Sequence, residues 1–235
     1  MLTRSTQDTD PTAFVQALTD DKCDPKLGAL VRQHLLDHNL EKAGSDYNPE
    51  QAFLSLQDGI GEFFEHMGFD LTDPSINQTP TRYAKMLIGE LTKGINYDFF
   101  PKATTTPNDM AYDQMVIVQG ISTISLCEHH LQTIDGLTYI AYIPRRLVLG
   151  LSKFARITDF FARRPQIQER MTEQLYHALS FILETDDIAV VQKATHYCMK
   201  ARGALQHSSM TTTDKMGGRF MSNPALRKEF FDACK

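Results

Sequence analysis

The segment that decides the fold is a run of β-branched residues, MVIVQGISTISLC, at residues 115–127. Two further segments have the same texture: LTYIAYIP at residues 137–144 and DIAVVQKATHYC at residues 187–198. Valine, isoleucine, threonine and tyrosine favour a half-buried pleated surface, so each segment predicts a strand. A Thr-rich segment near residues 210–220 predicts a fourth strand.

Two helical segments lie between the second and third strands. The first covers residues 153–164, and the second has apolar residues at helical spacing from Ile167 to Ile182. A last helix is predicted from Pro224. The order strand, strand, helix, helix, strand, strand indicates an α+β fold with a largely antiparallel sheet.

Helical patterns also precede the sheet. Residues 49–67 have the apolar spacing of an amphipathic helix, and Gly68 is placed to end it. Residues 79–94 are expected to form another helix, because a hydroxyl residue followed by proline is typical of a helix start. Arg82 and Lys85 are three residues apart and would lie on one face of that helix.

The segment KATTTPND at residues 102–109 predicts a loop by its Thr, Pro and Asn content. It separates the helical patterns from the strands. We therefore expect an N-terminal helical region at residues 1–110 and a sheet-containing domain at residues 111–235. Within the first region, residues 1–45 suit one or two short surface helices.

The composition is that of an ordinary globular protein outside the membrane. Hydrophobic residues make up 42% of the chain, and no apolar run approaches the roughly 18 to 20 residues that span a bilayer. The start, MLTRSTQDTDPT, lacks the basic-then-apolar layout of a secretory signal, so we expect a cytoplasmic location. In that reducing setting the 4 cysteines are thiols or metal ligands rather than disulfides.

The overall charge argues against a nucleic-acid partner. The net charge is −5, whereas nucleic-acid surfaces need a positive balance to replace phosphate counterions. Residues 145–170 nevertheless carry more cations than acids. A small polyanion could bind there.

Cys127 and His130 are separated by two residues, the spacing at which a tight turn brings both side chains onto one metal. His196 and Cys198 close the third predicted strand, where alternation would place them on the same face. Cys127, His130 and Cys198 then form a Cys₂His set with an open fourth position, as in catalytic zinc sites. A closed structural site, with His129 or His196 as the fourth ligand, is the alternative.

Charged residues near these motifs suit a nucleotide. Glu169 stands in the first turn of a helix, where the dipole alone favours an acid, but a carboxylate is also the acceptor that guanine N1–H and its amine require. Lys153 and Arg156 are three residues apart, and Arg202 follows Cys198 by about one helical turn. Solvated surface cations are the ordinary alternative, yet grouped around a metal these residues suit a triphosphate.

The motifs together resemble the GTP cyclohydrolase I family. The resemblance rests on blocks in the family's order: TPTRYAKML (79–87), LCEHHLQTIDG (126–136), AYIPRRLVLGLSKFARITDFFARRPQIQERMT (141–172), ATHYCMKARG (194–203) and TTTDKMGGRF (211–220). It covers about residues 49–231 and leaves residues 1–45 outside.

The resemblance implies a role for each candidate residue. Zinc would be held by Cys127, His130 and Cys198. The histidines beside the metal, with a serine for later steps, would be His129, His196 and Ser152. The guanine would be held by Gln168 and Glu169. The ribose and triphosphate would lie near Ser152, Lys153, Arg156, Arg202, Arg82 and Lys85.

The resemblance also implies a reaction and an assembly. Zinc would lower the pKa of a water for attack on C8 of GTP, His196 and His129 would move protons, and formate would leave as dihydroneopterin triphosphate forms. The domain at residues 111–235 would be a T-fold (tunnelling fold), a four-stranded antiparallel sheet backed by helices. Two stacked pentamers would form a decamer with active sites between subunits.

Three other readings of the motifs predict different features. A zinc nucleobase deaminase would need Pro-Cys-x-x-Cys, which the sequence lacks. A pterin synthase of the same fold would use three histidines on zinc rather than two thiolates. A non-catalytic zinc-binding interaction module would have a closed tetrahedral site and no need for Glu169.

Overall fold

The computed structural model describes residues 10–41 and 47–235. Residues 1–9 and 42–46 lie outside the described residues, and with them most of the N-terminal stretch on which the signal-peptide prediction rests. In the described ranges the helices are α1 (Pro11–Gln16), α2 (Pro25–Asp37), α3 (Pro49–His66), α4 (Thr79–Lys85), α5 (Leu151–Ala162), α6 (Gln168–Leu183), α7 (Tyr197–Lys200), α8 (Gly218–Ser222) and α9 (Pro224–Ala233). The strands are β1 (Thr105–Pro107), β2 (Val116–Cys127), β3 (Thr133–Tyr142), β4 (Leu147–Leu149), β5 (Pro165–Gln166), β6 (Ile188–His196) and β7 (Thr211–Met216).

The main sheet has the order β5-β2-β3-β6-β7. Its four long strands, β2, β3, β6 and β7, are antiparallel to their neighbours, and the two-residue β5 runs parallel to the end of β2. The expected α+β fold with a four-stranded antiparallel sheet backed by helices is therefore present. β1 and β4 form a separate two-stranded sheet.

Helices cover both faces of the main sheet. On one face, α5 and α6 bury large side chains such as Phe154, Phe161 and Leu175 against Ile140 and Val190. On the other face, α8 and α9 pack Phe220 and Phe230 against the alternate residues of the same strands. Because side chains alternate along a strand, the same strands contribute to two hydrophobic cores, one on each face of the sheet.

Helix α2 contributes to the larger core. Val31 and Leu35 are fully buried within it, and α2 packs against α6. The expectation of short surface helices in residues 1–45 is therefore wrong for α2. The local pattern did not show this, because the partner of α2 is α6, which lies far along the chain.

Two predicted segments also change. The predicted loop at residues 102–109 contains β1, because Thr105–Pro107 pairs with Leu147–Leu149. The predicted helix at residues 79–94 begins at Thr79 but continues after Lys85 as a π-helix, Met86–Leu91, followed by a short 3₁₀ segment, Lys93–Ile95.

None of the helices in the described ranges combines the length and apolar character that crossing a bilayer requires.

Candidate active site

A tight turn at the end of β2 places the first two metal-ligand side chains. The backbone N–H groups of His130 and Leu131 both donate to the carbonyl oxygen of Cys127, at 3.3 and 2.8 Å. Leu131 adopts a left-handed conformation, with φ 51°, which turns the chain back into β3. The two-residue spacing therefore brings His130 beside Cys127.

Cys198 reaches the same place from a different element. β6 ends at His196, and Cys198 lies on the single turn of α7 rather than on the strand. The predicted alternation between His196 and Cys198 is therefore wrong, because the chain has already turned into helix. Cys127 and Cys198 are nevertheless neighbours in one small apolar cluster with Ile134 and Ala194.

Cys127, His130 and Cys198 each offer a ligand atom, and these atoms lie within 4.8 Å of one another. Burial raises the pKa of the Cys198 thiol, and its hydrogen bond with Cys127 raises it further. The two adjacent thiols would lose their protons to solvent when a cation binds, since metal coordination deprotonates a thiol. The donor set of two sulfurs and one imidazole suits zinc.

His196 stands beside this group and is held by Gln168. Its Nε2 lies 2.8 Å from Gln168 Oε1. The Gln168 amide nitrogen donates to the carbonyl oxygens of Gln192 and Thr211, both at 3.1 Å, and to Thr213 Oγ1 at 3.2 Å. Because carbonyl oxygens only accept, the Gln168 oxygen must face His196, which therefore donates through Nε2. The Nδ1 of neutral His196 then carries the lone pair.

Three more predicted residues lie near the metal-ligand group and His196: Glu169, His129 and Arg202. Burial lowers the pKa of His196, and the nearby Glu169 carboxylate opposes that shift. Glu169 is exposed in the first turn of α6. His129 Nδ1 lies 3.8 Å from Cys127 Sγ. Arg202 is exposed and close enough to lower the Cys198 pKa by its charge.

An ion pair connects the metal-ligand turn to α6. Arg170 on α6 donates to Glu128, which lies between Cys127 and His130 in the turn. The Glu128 backbone N–H also donates to the carbonyl oxygen of Gln166, at 3.0 Å. No local sequence signal indicates this contact, because Glu128 and Arg170 are far apart in the chain.

Three predicted phosphate residues lie toward the other end of the sheet. Ser152, Lys153 and Arg156 are in the first turns of α5. Phe154 of the same turn packs on Tyr142 at the end of β3, with ring centroids 5.4 Å apart. β3 begins at Thr133, which pairs with the residue of β2 that directly precedes Cys127. The 10 residues of β3 span about 30 Å. One chain therefore does not bring these three residues to its own metal-ligand group.

Arg82 and Lys85 lie on α4, whose main packing partner is α3. Arg82 is exposed and Lys85 is half-buried. They belong to the N-terminal helical layer rather than to the sheet that carries the metal-ligand group.

Comparison with known proteins identifies the family of the chain. The family model of GTP cyclohydrolase I matches residues 56–235. A protein of Shewanella denitrificans named GTP cyclohydrolase 1 is 50% identical over 187 residues, which are 80% of this chain and 86% of that protein. Proteins of the same name from Shewanella putrefaciens and Shewanella baltica are 48% and 47% identical, over 85% and 87% of this chain and 94% and 96% of theirs. The chain is a member of the GTP cyclohydrolase I family.

Proposed function

We propose that this protein is a zinc-dependent GTP cyclohydrolase I, which opens the imidazole ring of GTP at C8, releases formate and forms 7,8-dihydroneopterin triphosphate. This would be the first step of folate and pterin biosynthesis. The observation that carries the proposal is the convergence of Cys127, His130 and Cys198 beside the Gln168–His196 pair, in a chain of this family.

Cys127, His130 and Cys198 would hold the zinc. When bound by three protein ligands, zinc lowers the pKa of a water toward about 7 and so supplies a nucleophile at neutral pH. The short turn at His130 and the apolar neighbours of the two thiols hold the ligands in place before metal binds.

His196 would carry protons during ring opening. Gln168 fixes its tautomer, so that Nδ1 is the atom that takes up a proton and returns it. His129, beside Cys127, is the second candidate for proton transfer. Ser152 is assigned to the later rearrangement by resemblance alone.

Glu169 is the residue that we assign to the guanine ring. It is exposed beside His196, so its carboxylate can accept from N1–H and the exocyclic amine. Gln168 was expected to share this role, but its side-chain groups already have partners within the protein. We assign Gln168 the positioning of His196 instead.

The remaining cations would hold the ribose and triphosphate across a subunit boundary. Ser152, Lys153 and Arg156 lie away from the metal-ligand group of their own chain, so a complete site requires these residues from a neighbouring copy. Arg202 would bind phosphate from the same chain as the zinc ligands, because it lies near Cys198. Arg82 and Lys85 would complete the phosphate contacts from the helical layer.

The proposed assembly follows from that separation. We propose a T-fold at residues 111–235, after the helical region at residues 1–110, and a decamer of two stacked pentamers with active sites between subunits. A cytoplasmic location is proposed with it, since two ligand thiols must stay reduced.

The activity is tested by incubating the zinc-loaded protein with GTP while pterin absorbance and formate are followed. We expect both products from the natural chain and neither from His196→Ala. A metal-loaded protein that yields no product would leave a non-catalytic zinc-binding module as the better description.

A further inference from the structure

A second group of metal-ligand side chains joins α2 to α6. His34 lies on α2, His38 directly follows that helix, and His177 lies on α6. One ring nitrogen of each lies within 4.8 Å of the others. We call these residues the three-histidine cluster. The proposed GTP cyclohydrolase site uses none of them.

The rings of the cluster face one another. The His38 ring centroid is 4.3 Å from that of His34 and 4.5 Å from that of His177. His34 and His38 are four residues apart, so they project from one side of the helix, and two histidines at this spacing chelate zinc in other proteins. Phe181 packs on His34, with centroids 5.0 Å apart, and supplies an apolar wall.

The ring nitrogens have the right hydrogen-bonding state for ligands. His38 Nδ1 lies 2.8 Å from the carbonyl oxygen of His34. A carbonyl oxygen only accepts, so Nδ1 carries the proton and Nε2 carries the lone pair, as in most metal-bound histidines. His34 Nε2 is buried without a hydrogen-bond partner among the described residues. A buried nitrogen of this kind is costly unless something binds it.

Burial favours the neutral form of His34 and His177. Burial lowers the pKa of His34, and burial with the nearby His38 lowers the pKa of His177 to about 4. Neutral imidazole is the form that binds metal. Glu173 Oε2 lies 3.7 Å from His177 Nε2 and adds negative charge, although Lys215 pairs with the same carboxylate at 2.9 Å.

We propose that His34, His38 and His177 form a second metal site, which binds a divalent transition metal such as Zn²⁺ and fastens α2 to α6. Imidazole ligands suit zinc, nickel and copper. A tetrahedral ion with bonds of about 2.05 Å would draw the nitrogens to about 3.4 Å from one another, a small closure of the present spacing. His34 and His38 precede residues 56–235, which the family model matches, and none of the three histidines is among the proposed catalytic zinc ligands.

Metal stoichiometry tests the proposal. The full-length protein is stripped with a chelator, dialysed against Zn²⁺, and its zinc is counted by elemental analysis. We expect two zinc ions per chain for the natural protein and one for His38→Ala. His38 is exposed, so its removal leaves the core intact.

The chain offers a matched control in His66. It also ends a helix, is exposed, and places Nδ1 2.8 Å from a carbonyl oxygen one turn earlier, that of Glu62. His66→Ala therefore makes the same local change away from the cluster, and it should keep two zinc ions. A natural protein with one zinc per chain, or a His38→Ala variant with two, would overturn the proposal.

Cobalt separates the two sites spectroscopically. Co²⁺ bound by Cys127 and Cys198 gives an intense sulfur-to-metal band, whereas a histidine site gives only weak visible bands. Cys198→Ser should lose the intense band yet bind one Co²⁺, and His38→Ala should keep that band. If Cys198→Ser binds no Co²⁺, the second site is refuted while the catalytic zinc proposal stands.

Discussion

Gln168 and Glu169 are neighbours in sequence, yet their side chains have different surroundings. The Gln168 side chain is buried, and both its amide oxygen and its amide nitrogen make hydrogen bonds within the protein. Glu169, in contrast, is exposed beside His196. Helix α6 places them about 100° apart around its axis, so one residue faces the sheet and the other faces the site. Under the proposed function, the same dipeptide would supply a positioning group and a binding group.

Different kinetic defects are expected from these two residues. Gln168→Ala frees the His196 ring, and misplacement of a catalytic group by about 1 Å can cost about 100-fold, so kcat should fall by that order with little change in KM. Glu169→Gln removes a charged acceptor from guanine, worth about 1.5 to 3 kcal/mol, so KM for GTP should rise at least about 10-fold. Steady-state kinetics with zinc-loaded variants measures both. A Gln168→Ala defect confined to KM would contradict the positioning role.

Gly136 on β3 is constrained by the neighbouring strand. A Cβ added there would lie 2.2 Å from the carbonyl oxygen of Lys193 and 2.6 Å from Ala194 Cβ. Neither strand can move without disturbing the sheet, so Gly136→Ala should lower the free energy of unfolding by about 3 kcal/mol.

Gly59 provides the contrasting case. It is exposed within α3, and an added Cβ meets nothing within 4 Å. Gly59→Ala should raise the free energy of unfolding by about 0.4 to 1 kcal/mol, because alanine loses less backbone entropy in a helix. Urea unfolding midpoints compare both variants with the natural chain. Equal midpoints for the two would mean that β3 can shift to accept the methyl group.

At the scale of elements, most helices and strands follow from local patterns. Runs rich in β-branched residues predicted β2, β3 and β6. Apolar residues at helical spacing, ended by Gly68, predicted α3, and α9 was predicted to begin at Pro224. The errors lie where partners far along the chain decide the structure. β1 exists only because β4 pairs with it, and Cys198 lies on α7 because β6 ends two residues earlier.

The contact between α6 and the metal-ligand turn gives a prediction at this scale. Arg170→Ala removes the ion pair with Glu128 and so is expected to loosen the turn that holds Cys127 and His130. Groups that orient metal ligands are commonly worth 10- to 100-fold in metal affinity, so zinc affinity should fall by about 10-fold or more. Competition with a chromophoric chelator measures it.

Arg163→Ala is the control for this variant. It removes an ion pair of similar kind, Arg163 Nε to Asp159 Oδ1 at 2.8 Å, within the end of α5. Its zinc affinity should match that of the natural protein. Equal affinities for Arg170→Ala and Arg163→Ala would show that the turn needs no support from α6.

At the scale of the whole molecule, the separation of Lys153 from His196 predicts complementation between inactive variants. His196→Ala and Lys153→Ala subunits, dissociated and reassembled together, should form sites that take each intact residue from a different chain. With random mixing of equal amounts, roughly a quarter of the sites carry both residues, so activity should return to about that fraction. Formate release from the mixture measures it.

A mixture of two variants that both change residues in or beside the metal-ligand group serves as the control. His196 and Cys198 lie in one chain's own group, so mixtures of His196→Ala and Cys198→Ala should stay inactive. A mixture of His196→Ala and Lys153→Ala that reassembles without regaining activity would refute the shared site.

The sequence by itself determined the identity of the zinc-ligand candidates and the order of the elements. These depend on short spacings, such as the two residues between Cys127 and His130, and on the periodicity of side chains along strands and helices. Only the tertiary structure decided that Gln168 holds His196, that Ser152 and Lys153 lie away from their own metal-ligand group, and that His177 meets His34 and His38. Those relations depend on how distant segments pack, which no local pattern encodes.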